Sequence, residues 1–301
     1  MIMHLLHHQI DPDAWDRRLA SASNAAWYGS RAALDAAAPG WNALVDEESG
    51  AQMPLPWRMK YGVRYLYQPF MLQHVGPYMP EPSDRLVGRF LEAIPRGYRY
   101  ADICVQGGAA VQAAGLLTEV RTNHVLELGH HVEELRSRYS TSHRRSVQKA
   151  ARMGVTVLAA PVEEVATFIE GSDQFRHWGT DGRQRAAMRR IMTSTGEDGS
   201  GFGRTATMGG DLLAAGWFVR GPGEVVFLKG VSSPRGREAR AMHALIDAVI
   251  AEQALAGRVF DLAGGNDPQL ARFYSGFGAL PVFYLRALMN RLPVLIRRLK
   301  P

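Results

Sequence analysis

The chain has 301 residues, 46% of them hydrophobic, enough for two domains of ordinary size with sizeable cores. No stretch approaches the roughly eighteen uninterrupted apolar residues of a membrane span, MIMHLLHHQIDPD has no basic segment leading into a long apolar run, and a single cysteine excludes an internal disulfide, so a cytoplasmic protein without integral membrane association is expected. A formal net charge of +6 and a pI of about 9.6 permit a polyanionic partner without requiring one.

Residues 11 to 38 predict two short helices, the first opened by Asp11-Pro12-Asp13 and the second ended by Pro39-Gly40. WNALVDEESGAQMPLPWRMKYGVRYLYQPF predicts a β-meander that turns at Glu48-Ser49-Gly50, with Trp57, Tyr61, Tyr65, Tyr67 and Phe70 as packing aromatics. Gln68 and Gln73 interrupt its apolar end; each needs a partner if buried, which makes them candidates for binding substrate in a cleft. Ser83 caps an amphipathic helix, SDRLVGRFLEAI, and YRYADICVQ is the next strand, with Cys104 as a buried thiol. HVLELG closes a first domain, residues 1–132.

The second domain, residues 133–301, begins with a helix capped by Ser140 or Thr141 and ended by Gly154, before the strand VTVLAA. Arg136, Arg138, Arg144, Arg145, Lys149 and Arg152 crowd this region without an acid, and Arg145, Lys149 and Arg152 share one helix face. Such a face is ordinarily just solvated; its functional alternative is to bind phosphate of tRNA or of a nucleotide-linked substrate. Two helices, VEEVATFIEG and GRQRAAMRRIMTS, joined by SDQFRHWGTD, lead to three strands, GFGRTATMGG, DLLAAGWFVR and EVVFLKGV.

After that last strand the period changes. Met242, Leu245, Ile246, Val249 and Ile250 mark one face of a long helix from Arg237 that Gly257 stops. RVFDLA is a strand, Asn266-Asp267-Pro268 starts a short helix, and a strand follows, so a right-handed βαβ unit with parallel strands is expected. The turn Ser232-Ser233-Pro234-Arg235-Gly236-Arg237 joins a helix N-terminus to arginine side chains, which suits a phosphate and equally suits an ordinary exposed loop. The tail, LRALMNRLPVLIRRLKP, is expected to pack on the second domain, with Pro293 kinking any helix there. The adjacent pairs His7-His8 and His130-His131 are poor chelates on extended chain, and no nucleophile elbow, P-loop or dinucleotide fingerprint occurs, so neither a metal nor covalent catalysis is expected.

Residues 224 to 284 resemble the acyl-CoA-binding half of the GNAT N-acyltransferase superfamily, in which a strand, a pyrophosphate-binding loop and a long helix precede a strand and the pattern Asn…Ala…Tyr…Phe-Gly, here Asn266, Ala271, Tyr274, Phe277 and Gly278. FDLAGGNDPQLARFYSGFGA is similar to the twin-GNAT branch that includes the Fem-like aminoacyl transferases, and YLYQPFMLQHVG and the basic helix resemble that branch too. The resemblance implies an α/β fold of two fused GNAT-like domains, each a central mixed sheet flanked by helices, the first without a pyrophosphate loop. It implies an acyl-CoA donor, acetyl-CoA in the simplest case, held by Val231, Ser232, Ser233, Arg235, Gly236, Arg237 and Asn266, with its carbonyl polarised by backbone N–H near Lys229, Gly230 and Val231.

By the same resemblance Tyr274 protonates the departing thiolate, and His177 and Trp178, with Arg176, border the site of a small-molecule or peptide amine. Asp261 is the acid nearest the site on a strand and the candidate base, with Glu224 or water as alternatives. An aminoacyl-tRNA donor, or a non-catalytic binding protein on the same scaffold, are the other readings; the coiled-coil arm of some Fem proteins is absent. The chain departs from the family in its loop. GNAT loops carry Arg or Gln, Gly three residues on, and Gly or Ala two further; from Arg235 that spacing meets Glu238 and Arg240, and from Arg237 it meets Arg240 and Met242.

Overall fold

The computed structural model describes residues 1–177, 181–256 and 258–293. Trp178, Gly257 and the tail beyond Pro293 therefore lie outside the described residues. The chain forms two compact units, one of Met1–Thr122 with the chain from Phe283, the other of Asn123–Val282.

In the first unit β1 (Ile2–Leu5) leads to α1 (Pro12–Ala20) and α2 (Arg31–Ala37), the two expected helices. Asp11 accepts the amide of Ala14 and Ser30 that of Ala33, so both starts are capped by the residue type that favours them. β2 (Asn42–Asp46) pairs antiparallel with β1 and with β3 (Ala51–Leu55), and both β2 and β3 are buried throughout. β4 (Trp57–Lys60) and β5 (Val63–Tyr67) form a hairpin; α3 (Asp84–Glu92) then carries the chain to β6 (Tyr98–Val105), which runs parallel to β5. Val87, Phe90 and Leu91 of α3 enter a core with Leu66, Ile103 and Val105. Ser83 stands at the N-cap of α3 but makes no side-chain cap bond, while the Asp84 carboxylate accepts the Gly108 amide. β7 (Leu116–Glu127) leads from this unit into the next.

The second unit opens with α4 (Val132–Ser137) and α5 (Thr141–Arg152), the latter capped by Ser140 as expected. β8 (Thr156–Ala160), α6 (Val162–Gly171), a short α7 (Asp173–His177) inside the predicted joint, and α8 (Gly182–Glu197) follow. Then come β9 (Gly201–Met208), β10 (Asp211–Gly221), β11 (Glu224–Ser232), α9 (Pro234–Glu238), α10 (Ala241–Gln253), β12 (Val259–Asp261) and α11 (Pro268–Ser275). Its sheet runs β8, β9, β10, β11 antiparallel, then β12 parallel to β11, then the end of β7 antiparallel to β12. The expected mixed α/β sheet with a parallel βαβ pair is present. Leu245, Ile246, Val249 and Ile250 of α10 share a core with Phe218, Val225 and Phe260, each such side chain stabilising the fold by about 2 kcal/mol through burial. On the other face Trp217 donates from Nε1 to Thr195 Oγ1 of α8.

Three expectations need correction. The helix from Arg237 is broken, because Arg240 sits in the left-handed region (φ 61°) between α9 and α10. The tail does not pack on the second unit: β13 (Leu280–Asn290) pairs antiparallel with β6 from Leu285↔Val105 to Asn290↔Tyr100. Leu285, Ala287 and Met289 alternate into the first unit's core, a strand's period of two that the apolar Leu288 between them masks. The units are thus bounded at 122/123 and at 282/283, where a single boundary at 132/133 was expected.

Candidate active site

β11 and β12 pair only from Glu224↔Val259 to Val226↔Asp261, whereas β11 stays paired with β10 as far as Ser232↔Ala214. Among the described residues the ladder between β11 and β12 ends at Val226↔Asp261, and from Phe227 onward that side of β11 faces a gap between diverging strands. The Ser232 amide points into that gap and donates to Gln174 Oε1 of α7 at 3.3 Å. Along a regular strand the Gly230 amide, two residues earlier, faces the same way.

The far wall is a pinned loop. Asp261 accepts the Ala263 amide and Asn123 Nδ2, each at 2.7 Å, Asn123 Oδ1 accepts the Gly264 amide at 2.7 Å, and His124 Nδ1 donates to the Gly264 carbonyl at 3.2 Å. These bonds hold Ala263 at φ 50°, a conformation that costs a non-glycine residue about 1–2 kcal/mol.

The mouth is the turn after β11. Ser233 caps α9, accepting the Gly236 amide at 3.0 Å and donating to the Leu213 carbonyl at 3.2 Å. Gly236 lies against that carbonyl, where any Cβ would collide with the oxygen. Arg235 pairs with Asp211, and the Arg237 guanidinium donates to the Ser232 carbonyl at 3.1 Å. Arg240, where the family spacing asks for glycine, takes the glycine-like conformation at φ 61°, ψ 30° and starts α10.

Between these walls is a cavity of about 580 Å³, lined by the β11 edge, Arg237, Arg240, His243, Phe273 and Tyr274. Tyr274 is 5% exposed, and burial, with the Asp261 charge, raises its phenol well above the ordinary range. Burial pushes the Lys229 ammonium down to about 8. His243 is brought down to about 4 by burial and by its neighbours His143 and Arg240. His143, its ring 4.8 Å from that of His243, donates from Nε2 to the Phe273 carbonyl at 2.9 Å and is lowered chiefly by burial.

Of the residues singled out in the sequence, Val231, Ser232, Gly236, Arg237 and Tyr274 line the cavity together. Ser233 and Arg235 shape the turn without being among the lining residues, and Asn266 is exposed on the loop before α11. Asp261 is also not among them, because its carboxylate is engaged in the loop. His177 is exposed, with Nδ1 bonded to the Asp173 carbonyl at 2.8 Å; Gln174 of the same short helix is the one that reaches the cavity. In the first unit Gln68 bridges Leu72 O (2.6 Å) and the Cys104 amide (2.7 Å), a structural use, while Gln73 Nε2 has no hydrogen-bond partner among the described residues.

The side chains of Lys229, Arg240, His243 and Phe273 escaped the sequence analysis. For Lys229 there was a signal, a charge inside an apolar strand. Among the described residues no three His, Cys, Asp or Glu side chains cluster as a metal site, and no helix is long and apolar enough to cross a membrane.

Residues 137–269 match the family described as Acetyltransferase (GNAT) domain. No curated protein matches the sequence. Among solved structures, FemX is similar with a TM-score of 0.70 and 14% identity over 100% of this chain and 99% of that one. A tandem GNAT protein from the clavulanic acid biosynthesis pathway has a TM-score of 0.54 and 14% identity over 97% and 99%. L-PGS from Bacillus licheniformis has a TM-score of 0.54 and 12% identity over 96% and 95%. These likenesses speak for the fold over both units, and the domain match covers the arginine turn and most of the cavity wall. Residues 137–269 thus carry the match to a GNAT acetyltransferase domain, and the fold of the chain is similar to those of FemX and of a tandem GNAT protein.

Proposed function

We propose that the second unit transfers an acyl group from an acyl-CoA thioester, acetyl-CoA in the simplest case, to an amine by direct attack. The observation that carries this is the parting of β11 from β12 after Val226↔Asp261, which opens the β11 edge into a cavity shared with Tyr274 and two arginines. Amide hydrogens on that edge, near Gly230, are aimed where the oxygen of a tetrahedral intermediate develops charge, an interaction worth roughly 3–4 kcal/mol per donor in sites of this kind. Arg237, Arg240 and the start of α10 receive the donor's phosphates, since a helix N-terminus and guanidinium groups both favour an anion. Ser233 and Arg235 hold that turn, and Tyr274, whose hydroxyl stays protonated at neutral pH, gives its proton to the leaving thiolate. The amine, on a small molecule or a peptide, enters on the α7 side, where Gln174 and His177 lie.

One observation favours a second donor. Arg136 pairs with Asp247, Arg138 with Glu134, and Arg144 with backbone carbonyls, but Arg145, Lys149 and Arg152 are exposed and form no ion pair among the described residues. That stripe suits the backbone of an aminoacyl-tRNA, whose ester the same edge and tyrosine would serve.

Thermal unfolding with each donor separates the two. An acyl-CoA at about a hundred times its Kd adds about 2.7 kcal/mol and raises the Tm, whereas aminoacyl-tRNA binds with an affinity that falls steeply with salt. If neither binds, the transferase proposal is wrong. With the productive donor, Tyr274→Phe lowers kcat by roughly 100-fold or more in a transfer assay while the donor Kd stays unchanged.

A further inference from the structure

The pairing of β11 with β10 slips by one residue in the middle of the strand: Phe218 faces Phe227, Trp217 faces Lys229, and Leu228 is the extra residue. Residues directly opposite each other in an antiparallel pair send their side chains to the same face. Phe218 and Phe227 belong to the core under α10, whereas Trp217 reaches α8 on the other face. An unbroken strand would put residues 227 and 229 on one face, and Lys229 in the aromatic core. The bulge turns Lys229 to the opposite face, where it lines the cavity one residue before Gly230. Bulges of this sort are enriched beside active sites because they re-aim a side chain.

The chemistry of the cavity leaves a proton acceptor to be supplied. No Asp or Glu is among its described lining residues, and Asp261 spends its carboxylate on Asn123 and the Ala263 amide. The charged or titratable groups facing the space are Arg237 and Arg240 from the turn, His243 from α10, Tyr274 from α11 and Lys229 from β11. The arginines hold their protons at any working pH, and the tyrosine serves as an acid. His243 lies on the α10 side against His143 and Phe273 and, at about 4, is a feeble base.

Resting on the acyl transfer proposed above, we propose that Nζ of Lys229 accepts the proton of the attacking amine. As the amine nitrogen bonds to the donor's carbonyl carbon, its proton passes to neutral Nζ. The intermediate then collapses with cleavage of the carbon–sulfur bond, or the carbon–oxygen bond of an ester, and the leaving atom takes the Tyr274 proton. Solvent afterwards restores both side chains. An ammonium brought down to about 8 by burial has a sizeable neutral fraction near neutral pH, which an ordinary lysine lacks.

The test compares wild type, Lys229→Met and Lys229→His with acetyl-CoA, or the donor found productive, and an amine acceptor. Lys229→Met is expected to lose roughly 100-fold or more in kcat with the donor Kd within twofold, and Lys229→His to move the ascending, acidic limb of kcat/KM to lower pH. A Lys229→Met enzyme with the wild-type kcat and pH profile overturns the assignment while acyl transfer stands. A wild type that turns over no donor overturns both. Should the variants fold poorly, NMR of 13C-methylated lysines decides on the wild-type chain, which has only Lys60, Lys149, Lys229 and Lys300. One lysine resonance titrating near pH 8 beside three ordinary ones supports the assignment; all four titrating near the ordinary value of about 10.4 refutes it.

Discussion

Arg240 shows how a single residue can break a family's spacing and keep its geometry. At φ 61° a side chain costs about 1–2 kcal/mol relative to glycine. The bend lets its carbonyl accept the amides of His243 and Ala244, which starts α10 at the cavity mouth. In return the guanidinium lines the space where a phosphate is proposed to sit. Arg240→Gly is therefore expected to keep or raise the Tm while weakening acyl-CoA binding, whereas Arg240→Val lowers the Tm by several degrees, because a branched side chain tolerates this conformation least. Thermal unfolding and calorimetric titration of the two variants check both halves. The mismatch at Arg240 was legible in the sequence; its backbone angle was not, since α9 and α10 on either side impose it. Asp261 was legible as an acid near the site, but its partner Asn123 is 138 residues away.

The elements around the site were predicted largely in place, because their signals are local. Asp267-Pro268 does start α11, with Asp267 accepting the amides of Gln269 and Leu270. Ser140 caps α5, and the apolar period of α10 faces the core. The turn between β11 and α10 depends on something less local, the contact of Gly236 with the Leu213 carbonyl of β10. The Leu213 carbonyl leaves a methyl group no room, so Gly236→Ala is expected to cost roughly 1–3 kcal/mol and to displace the α9 turn. A lower Tm together with a weaker acyl-CoA Kd is the outcome to look for; unchanged affinity would separate the turn from donor binding.

At the scale of the whole molecule, stability should respond to acid through buried histidines. His74, 9% exposed in the first unit, accepts from Gln106 Nε2 at 3.1 Å, and burial brings it down to about 3. Its folded value is below the unfolded one of about 6.5, so the unfolded chain binds more protons in between, and the stability present above pH 6.5 is lost as pH falls toward 3. Between pH 6.5 and 4.5 this amounts to roughly 2–3 kcal/mol, with His243 adding in the same direction. Urea unfolding at pH 7 and pH 4.5 is expected to show the drop, and His74→Phe to lessen it.

By itself the sequence determined the order of helices and strands, most of their caps, the apolar faces and the residues that carry the GNAT resemblance, since each is written in neighbours a few positions apart. Only the tertiary structure decided that β13 returns to β6, that β11 and β12 part after Val226 and Asp261, that a bulge turns Lys229 toward the cavity, and that Asp261 is committed to a loop. The physical reason is common to all four: strand pairing, register and buried hydrogen bonds join residues distant along the chain, and which partner each finds is settled by packing rather than by any pattern local to it.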